Sequence, residues 1–168
     1  MAKHRATILW ERNGATFSDN RYSRGHRWLF DGGSEVAASS SPAVVPLPLS
    51  VAAAVDPEEA FVASLSSCHM LWFLSIASKH GYTVESYRDE AEGMMGYDEG
   101  GRQLMAQVTL RPMARFASHD QPSAADVEEM HRDAHEQCFI ARSVKTDVRC
   151  EPIYAEHATD IAIRRAHL

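Results

Sequence analysis

Hydrophobic positions along the chain fall into short alternating runs and two longer segments with helical period. Residues 6–10 (Ala-Thr-Ile-Leu-Trp) read as a strand that gives way to a turn at Asn13-Gly14. A second extended stretch runs through Arg27-Trp28-Leu29-Phe30, and Asp31-Gly32-Gly33 predicts a hairpin turn into Ser34–Ser39. Residues 40–55 are rich in Ser, Ala, Val and Pro. Pro42, Pro46 and Pro48 break any helix there, so this stretch is expected to be a connection with the character of a partly mobile flap. The clearest boundary follows. Asp56 suits an N-cap, Pro57 the first helical position, and Glu59 completes a capping box. The helix so begun should run to Lys79-His80 and stop at Gly81.

From Ala60 to Ser78 the chain carries no Asp, Glu, Lys or Arg, a length that meets the span of a bilayer. Five serines and His69 lie within the run, Glu58 and Glu59 stand at its start, and the mean hydropathy of the whole chain is −0.32. These features favour the central helix of a soluble core over a membrane span. Strand-like stretches follow at 82–94 and 104–112, joined by the turn-rich Tyr97-Asp98-Glu99-Gly100-Gly101. A second helix is predicted from Ser123, with Asp126 three residues later, to about Ala141. Its apolar positions Val127, Met130, Ala134, Cys138 and Ala141 lie within about 60° of one another, which puts Cys138 on the core-facing stripe. Residues 143–151 alternate as a half-buried strand does, with Cys150 on the face of Val144, Thr146 and Val148. Beyond Pro152 the signals are weak. Strands, long helix, strands, helix, strand: this order implies an α+β fold, a mostly antiparallel sheet wrapped on a long buried central helix. The length, 168 residues, fits a single domain with a core at about 5–151 and a C-terminal tail at 152–168.

Composition narrows the function. Hydrophobic content is 45% and charged content 24%, which excludes collagen, coiled coil and wholesale disorder. The net charge of −6, with 17 Lys and Arg scattered among 23 Asp and Glu, leaves no basic face for nucleic acid. The apolar run after Lys3 and Arg5 is too short for a signal peptide, so a cytoplasmic location is expected, where the three cysteines would rest as thiols.

Cys68 is the first candidate for chemistry. On its helix it is surrounded by Phe61, Ser64, Leu65, Leu71, Trp72 and Ser75, so its thiol looks onto a face of small serines flanked by bulky rings. A buried, inert thiol is the ordinary outcome there. A reactive one needs a nearby positive charge, because a mid-helix position gains little from the helix dipole. Cys138 is a second core-facing thiol that could meet it. A rival set, His131, His135 and Cys138, has i, i+4, i+7 spacing and donor types suited to a metal, yet successive turns of one helix seldom converge three ligands unaided. A Cys–His hydrolase is open by spacing, but nothing selects the histidine. Phosphate-loop, GxSxG, HExxH and CxxC patterns are absent from the sequence.

Asp56-Pro57-Glu58-Glu59-Ala60-Phe61-Val62-Ala63-Ser64-Leu65-Ser66-Ser67-Cys68, taken with Ala134-His135-Glu136-Gln137-Cys138, resembles the OsmC/Ohr family of osmotically inducible and organic-hydroperoxide-resistance proteins, over roughly residues 5–151. The family's peroxidatic cysteine maps onto Cys68, its second cysteine onto Cys138 and its helix-start glutamate onto Glu58. Its arginine maps onto Arg24, which precedes the Gly-Gly hairpin turn and Pro42, with Arg12 of Arg12-Asn13-Gly14 as the runner-up. Phe139-Ile140-Ala141 departs from the Pro-Tyr-Ser that many members carry, and the 40–55 loop is this sequence's own. The resemblance implies an intertwined homodimer with active sites at the subunit interface. It also implies a thiol peroxidase that reduces organic hydroperoxides without metal, haem or other cofactor, and that is recycled by an external dithiol such as a lipoylated protein. The alternative it leaves is a non-catalytic OsmC-like binding or assembly protein with structural cysteines. On a straight helix Glu58 and Cys68 stand about 15 Å apart along the axis, too far for one arginine to touch both with ease.

Overall fold

The computed structural model describes residues 2–154. The chain forms two compact units that divide after Phe61, inside the first helix.

The first unit is built on an antiparallel sheet of β1 (Ala6–Leu9), β2 (His26–Phe30) and β3 (Glu35–Ala38), in that order. β1 pairs with β2 from Ala6 opposite Phe30 to Leu9 opposite Arg27. The β2–β3 hairpin closes at the predicted turn, where Phe30 N–H donates to Ser34 and Gly33 adopts φ +86°, a conformation costly for any residue with a Cβ. The 40–55 connection contains no regular element, as its prolines require. It is anchored rather than left loose: Arg24 N–H donates to the Leu49 carbonyl at 2.7 Å, Val51 N–H to the buried Ser39 Oγ, and Ala38 bridges Val55. The unit ends in the first turn of α1 (Pro57–Lys79), where the predicted capping box is formed in both directions. Glu59 N–H donates to the Asp56 carboxylate at 2.7 Å and Asp56 N–H to Glu59 Oε2 at 3.1 Å.

The second unit holds the rest of α1. The helix ends as its sequence predicts, with Gly81 at φ +87° and Tyr82 N–H returning to the Ala77 carbonyl. The predicted strand at 82–94 is two strands, β4 (Val84–Asp89) and β5 (Glu92–Tyr97), because they belong to different sheets. β4 pairs antiparallel with β7 (Pro112–Phe116). β5 pairs antiparallel with β6 (Gln103–Leu110), whose other edge takes β8 (Asp147–Cys150) in parallel. α2 (Ala124–Gln137) starts at the expected Ser123 capping box but stops four residues short of Ala141. At Cys138 the backbone turns extended (ψ 111°), and a 3-10 turn follows at Ala141–Ser143. Cys138 therefore keeps its predicted burial while sitting at the helix C-cap rather than mid-stripe.

Packing explains the arrangement. α1 turns Leu65, His69, Phe73, Ile76 and Ala77 inward, and Phe73, Ile76 and Ala77 pack with Met130 and Ala134 of α2 against Tyr87, Ala114 and Phe116 of the β4–β7 sheet. α1 is long and apolar enough to cross a membrane by length and composition, but this packing makes it a core helix. Its other face stays open: Leu71 is 61% exposed.

Candidate thiol site

The open face of α1 presents Ser64, Cys68, Leu71 and Ser75 at one-turn intervals, so small serines leave a trough that flanking apolar side chains wall in. The trough is a cavity of about 530 Å³. Trp72 forms one side, edge-on to Phe139 (centroids 5.4 Å apart, planes at 81°), and Ile140 closes another. In the sequence, Phe139 and Ile140 stand out only as a departure from a motif. The early end of α2 is what swings them against α1.

Cys68 is half-buried on this cavity, and the buried Cys138, 1% exposed, interacts with it. Burial first, and then the Cys68 contact, push the Cys138 thiol up to about 11, against the smaller opposing effect of the Ala141 and Ile140 backbone amides. The Ala141 N–H lies 3.4 Å from Cys138 Sγ. Cys138 thus keeps its proton at neutral pH, and the more accessible sulfur at the cavity wall belongs to Cys68. The pair of thiols expected from the sequence is a pair in space.

Arg24 and Glu58 also come together, in a pocket of the first unit of about 480 Å³, lined by Trp10, Phe17 and Tyr22 among others. The guanidinium lies 3.8 Å above the Tyr22 ring and donates to the Asn20 side chain at 2.8 Å, to the Asn20 carbonyl and to the Tyr22 carbonyl. Among the described residues Arg24 makes no ion pair, and the buried Oε2 of Glu58 has no hydrogen-bond partner. His26 Nδ1 meets the Arg24 carbonyl at 2.8 Å, while its Nε2 receives the Trp28 indole N–H, which fixes Nδ1 as the protonated nitrogen. Arg12 does not line this pocket and donates to the carbonyl of Ala15 in its own turn.

The metal alternative is not assembled as its spacing suggested. His135 and Cys138 do not gather around His131, whose Nδ1 instead meets His69 Nε2 at 3.0 Å. Cys150 Sγ lies 3.6 Å from that same His69 nitrogen. The signal that could have pointed there was His69, the one ionisable side chain inward on an otherwise apolar stretch of α1.

An α+β chain with one thiol on an apolar cavity and a second, buried thiol interacting with it defines a class, that of dithiol-bearing proteins with a core-helix cysteine. A family model of OsmC-like proteins matches residues 50–152, more than half of the chain. The chain belongs to the OsmC-like family. An OsmC-like protein of unknown function from Vibrio cholerae is similar at 55% identity, with a TM-score of 0.89 over 91% of this chain and 100% of that one. An organic hydroperoxide resistance protein from Elizabethkingia anophelis shares the fold at 14% identity (TM-score 0.66, 92% and 96% covered). The organic hydroperoxide resistance protein OhrB of Bacillus subtilis does so at 18% (TM-score 0.62, 90% and 98%). No curated protein sequence matches the chain.

Proposed function

We propose that this protein is a thiol peroxidase that reduces organic hydroperoxides in oxidative stress defence, in the cytoplasm. The single observation that carries the reading is Cys68 standing on an apolar cavity with the buried thiol of Cys138 interacting with it. Relatives of the same fold that are organic hydroperoxide resistance proteins support it. In this reading the Cys68 thiolate attacks the outer oxygen of ROOH, the O–O bond breaks, and the alkoxide takes a proton and leaves as ROH. Cys68 is then a sulfenic acid. Cys138, still protonated and in contact, condenses with it, so that the S–O bond breaks, a disulfide forms and water departs. An external dithiol reduces the disulfide and is itself oxidised. No metal or cofactor is required for these steps. Arg24, steered by Glu58, is the cation we assign to the thiolate, delivered at the interface of a homodimer. The walls of Leu71, Trp72, Phe139 and Ile140 offer apolar contact to the R group and nothing to bare hydrogen peroxide.

One equivalent of an organic hydroperoxide added to the reduced chain tests this. Two thiols per chain should disappear, and peptide mapping should recover a Cys68–Cys138 disulfide. Cys68→Ser should consume no peroxide, whereas Cys138→Ser should be oxidised once and stall. An unchanged thiol count would make the chain a binding or assembly protein with structural cysteines. A Cys68–Cys150 disulfide would move the resolving role to Cys150.

A further inference from the structure

We infer that His69, His131 and Cys150 form a structural metal site for a borderline-soft divalent cation, Zn²⁺ in the first instance, independent of the Cys68–Cys138 chemistry. The three side chains come from α1, α2 and β8, and His69 Nε2, His131 Nδ1 and Cys150 Sγ all lie within 4.8 Å of one another. Two of the three spacings come close to those of a shared ion. With Zn–N near 2.05 Å and Zn–S near 2.3 Å, a tetrahedral centre sets its ligand atoms about 3.3 Å (N to N) and about 3.6 Å (N to S) apart. The structure has 3.0 Å between the two nitrogens and 3.6 Å between His69 Nε2 and the sulfur. The chemistry of the set, two imidazoles and one thiolate, selects zinc over magnesium or calcium, which take oxygen ligands.

The contact between the two rings does not use all of their protons. Two neutral rings carry two protons. One proton serves the 3.0 Å contact, and the other must sit on His69 Nδ1 or His131 Nε2, both buried and without a partner.

Binding exchanges one proton for one ion. The Cys150 S–H bond breaks, the proton goes to solvent, and the metal–thiolate bond forms with no change of oxidation state. His69 becomes protonated at Nδ1 and His131 at Nε2. The fourth position is left to water.

Because a dithiol can itself take zinc, the test uses the full-length chain with Cys68→Ser and Cys138→Ser in place. Titrated with Co²⁺ as the probe, this chain should take up one equivalent and develop a thiolate-to-cobalt charge-transfer band, and Zn²⁺ should displace the cobalt and raise the Tm. Adding Cys150→Ala should abolish the band and the Tm shift. Adding His131→Asn instead should weaken uptake more than about a hundredfold, beyond what loss of an outer-shell partner causes. If one of these variants fails to fold, the other decides. No band in the Cys68→Ser, Cys138→Ser chain, or a band that survives Cys150→Ala, overturns the site.

Discussion

Cys68 and Cys138 differ in the environment each sulfur meets. Cys138 is sealed behind the end of α2, so ionising it would place a charge where water cannot reach, whereas Cys68 opens on the cavity. Alkylation with iodoacetamide should therefore modify Cys68 at pH 7.5 and spare Cys138, whose labelling should rise only as the pH approaches 11, as read by peptide mass spectrometry. Equal labelling of the two at pH 7.5 would contradict the assignment of roles. The arginine is tested at the same scale. Arg24→Ala should slow oxidation of Cys68 by about one to two orders of magnitude, with Arg24→Lys in between because a lysine cannot reproduce the planar fork. Arg12→Ala should leave the rate unchanged, since Arg12 serves only its own turn. A rate that responds to Arg12 and not to Arg24 would reverse the choice between them.

At the scale of elements, what was legible in the sequence was what local chemistry decides. The start of α1 is carried by Asp56 and Glu59, its end by Gly81, and the start of α2 by Ser123, each acting within three or four residues of itself. The end of α2 was not legible. The apolar stripe continues through Cys138 and Ala141 because both face inward, while no glycine or proline marks the turn that Cys138 makes. β8 shows the same limit: alternation begins at 143, but pairing begins only where Asp147 finds Gln107. Least legible was the meeting of His69 with His131 and Cys150, 62 and 81 residues away, which no local spacing encodes. The α2 cap offers a prediction. Ser123→Ala removes the hydroxyl that accepts from Asp126 N–H and donates to its carboxylate, and should cost about 1 kcal/mol in a urea melt at pH 7. The hydrogen bonds of Ser123, aided by Tyr82, hold the Asp126 carboxyl below its usual range. A depressed carboxylate stabilises the fold above its unfolded pKa near 3.8 and loses that contribution as the pH falls through its folded value. The difference between parent and Ser123→Ala should therefore be constant from pH 5 to 7 and shrink below pH 3.8. A difference that grows on acidification would exclude this account of the cap.

For the whole molecule, the open face of α1 is the feature that one chain leaves unexplained. Leu71 at 61% and Phe139 at 64% exposed lie on the rim of the thiol cavity, and burying side chains of this size is worth roughly 1.5–3 kcal/mol each. A second copy of the chain is the occupant we assign to this face, because the reading of Arg24 as the partner of the thiol also places the active site at a subunit interface. Leu71→Glu puts a charge at the centre of such an interface without touching the inward face of Leu65, Phe73 and Ile76. If the proposed homodimer forms through this face, the variant should sediment as a monomer while circular dichroism still reports the helices and sheets. If the dimer is the active form, the same variant should lose multi-turnover peroxidase activity even though Cys68 and Cys138 remain in contact. A Leu71→Glu protein that sediments as a dimer would place the interface elsewhere. One that is monomeric yet fully active would show that each chain completes its own thiol site.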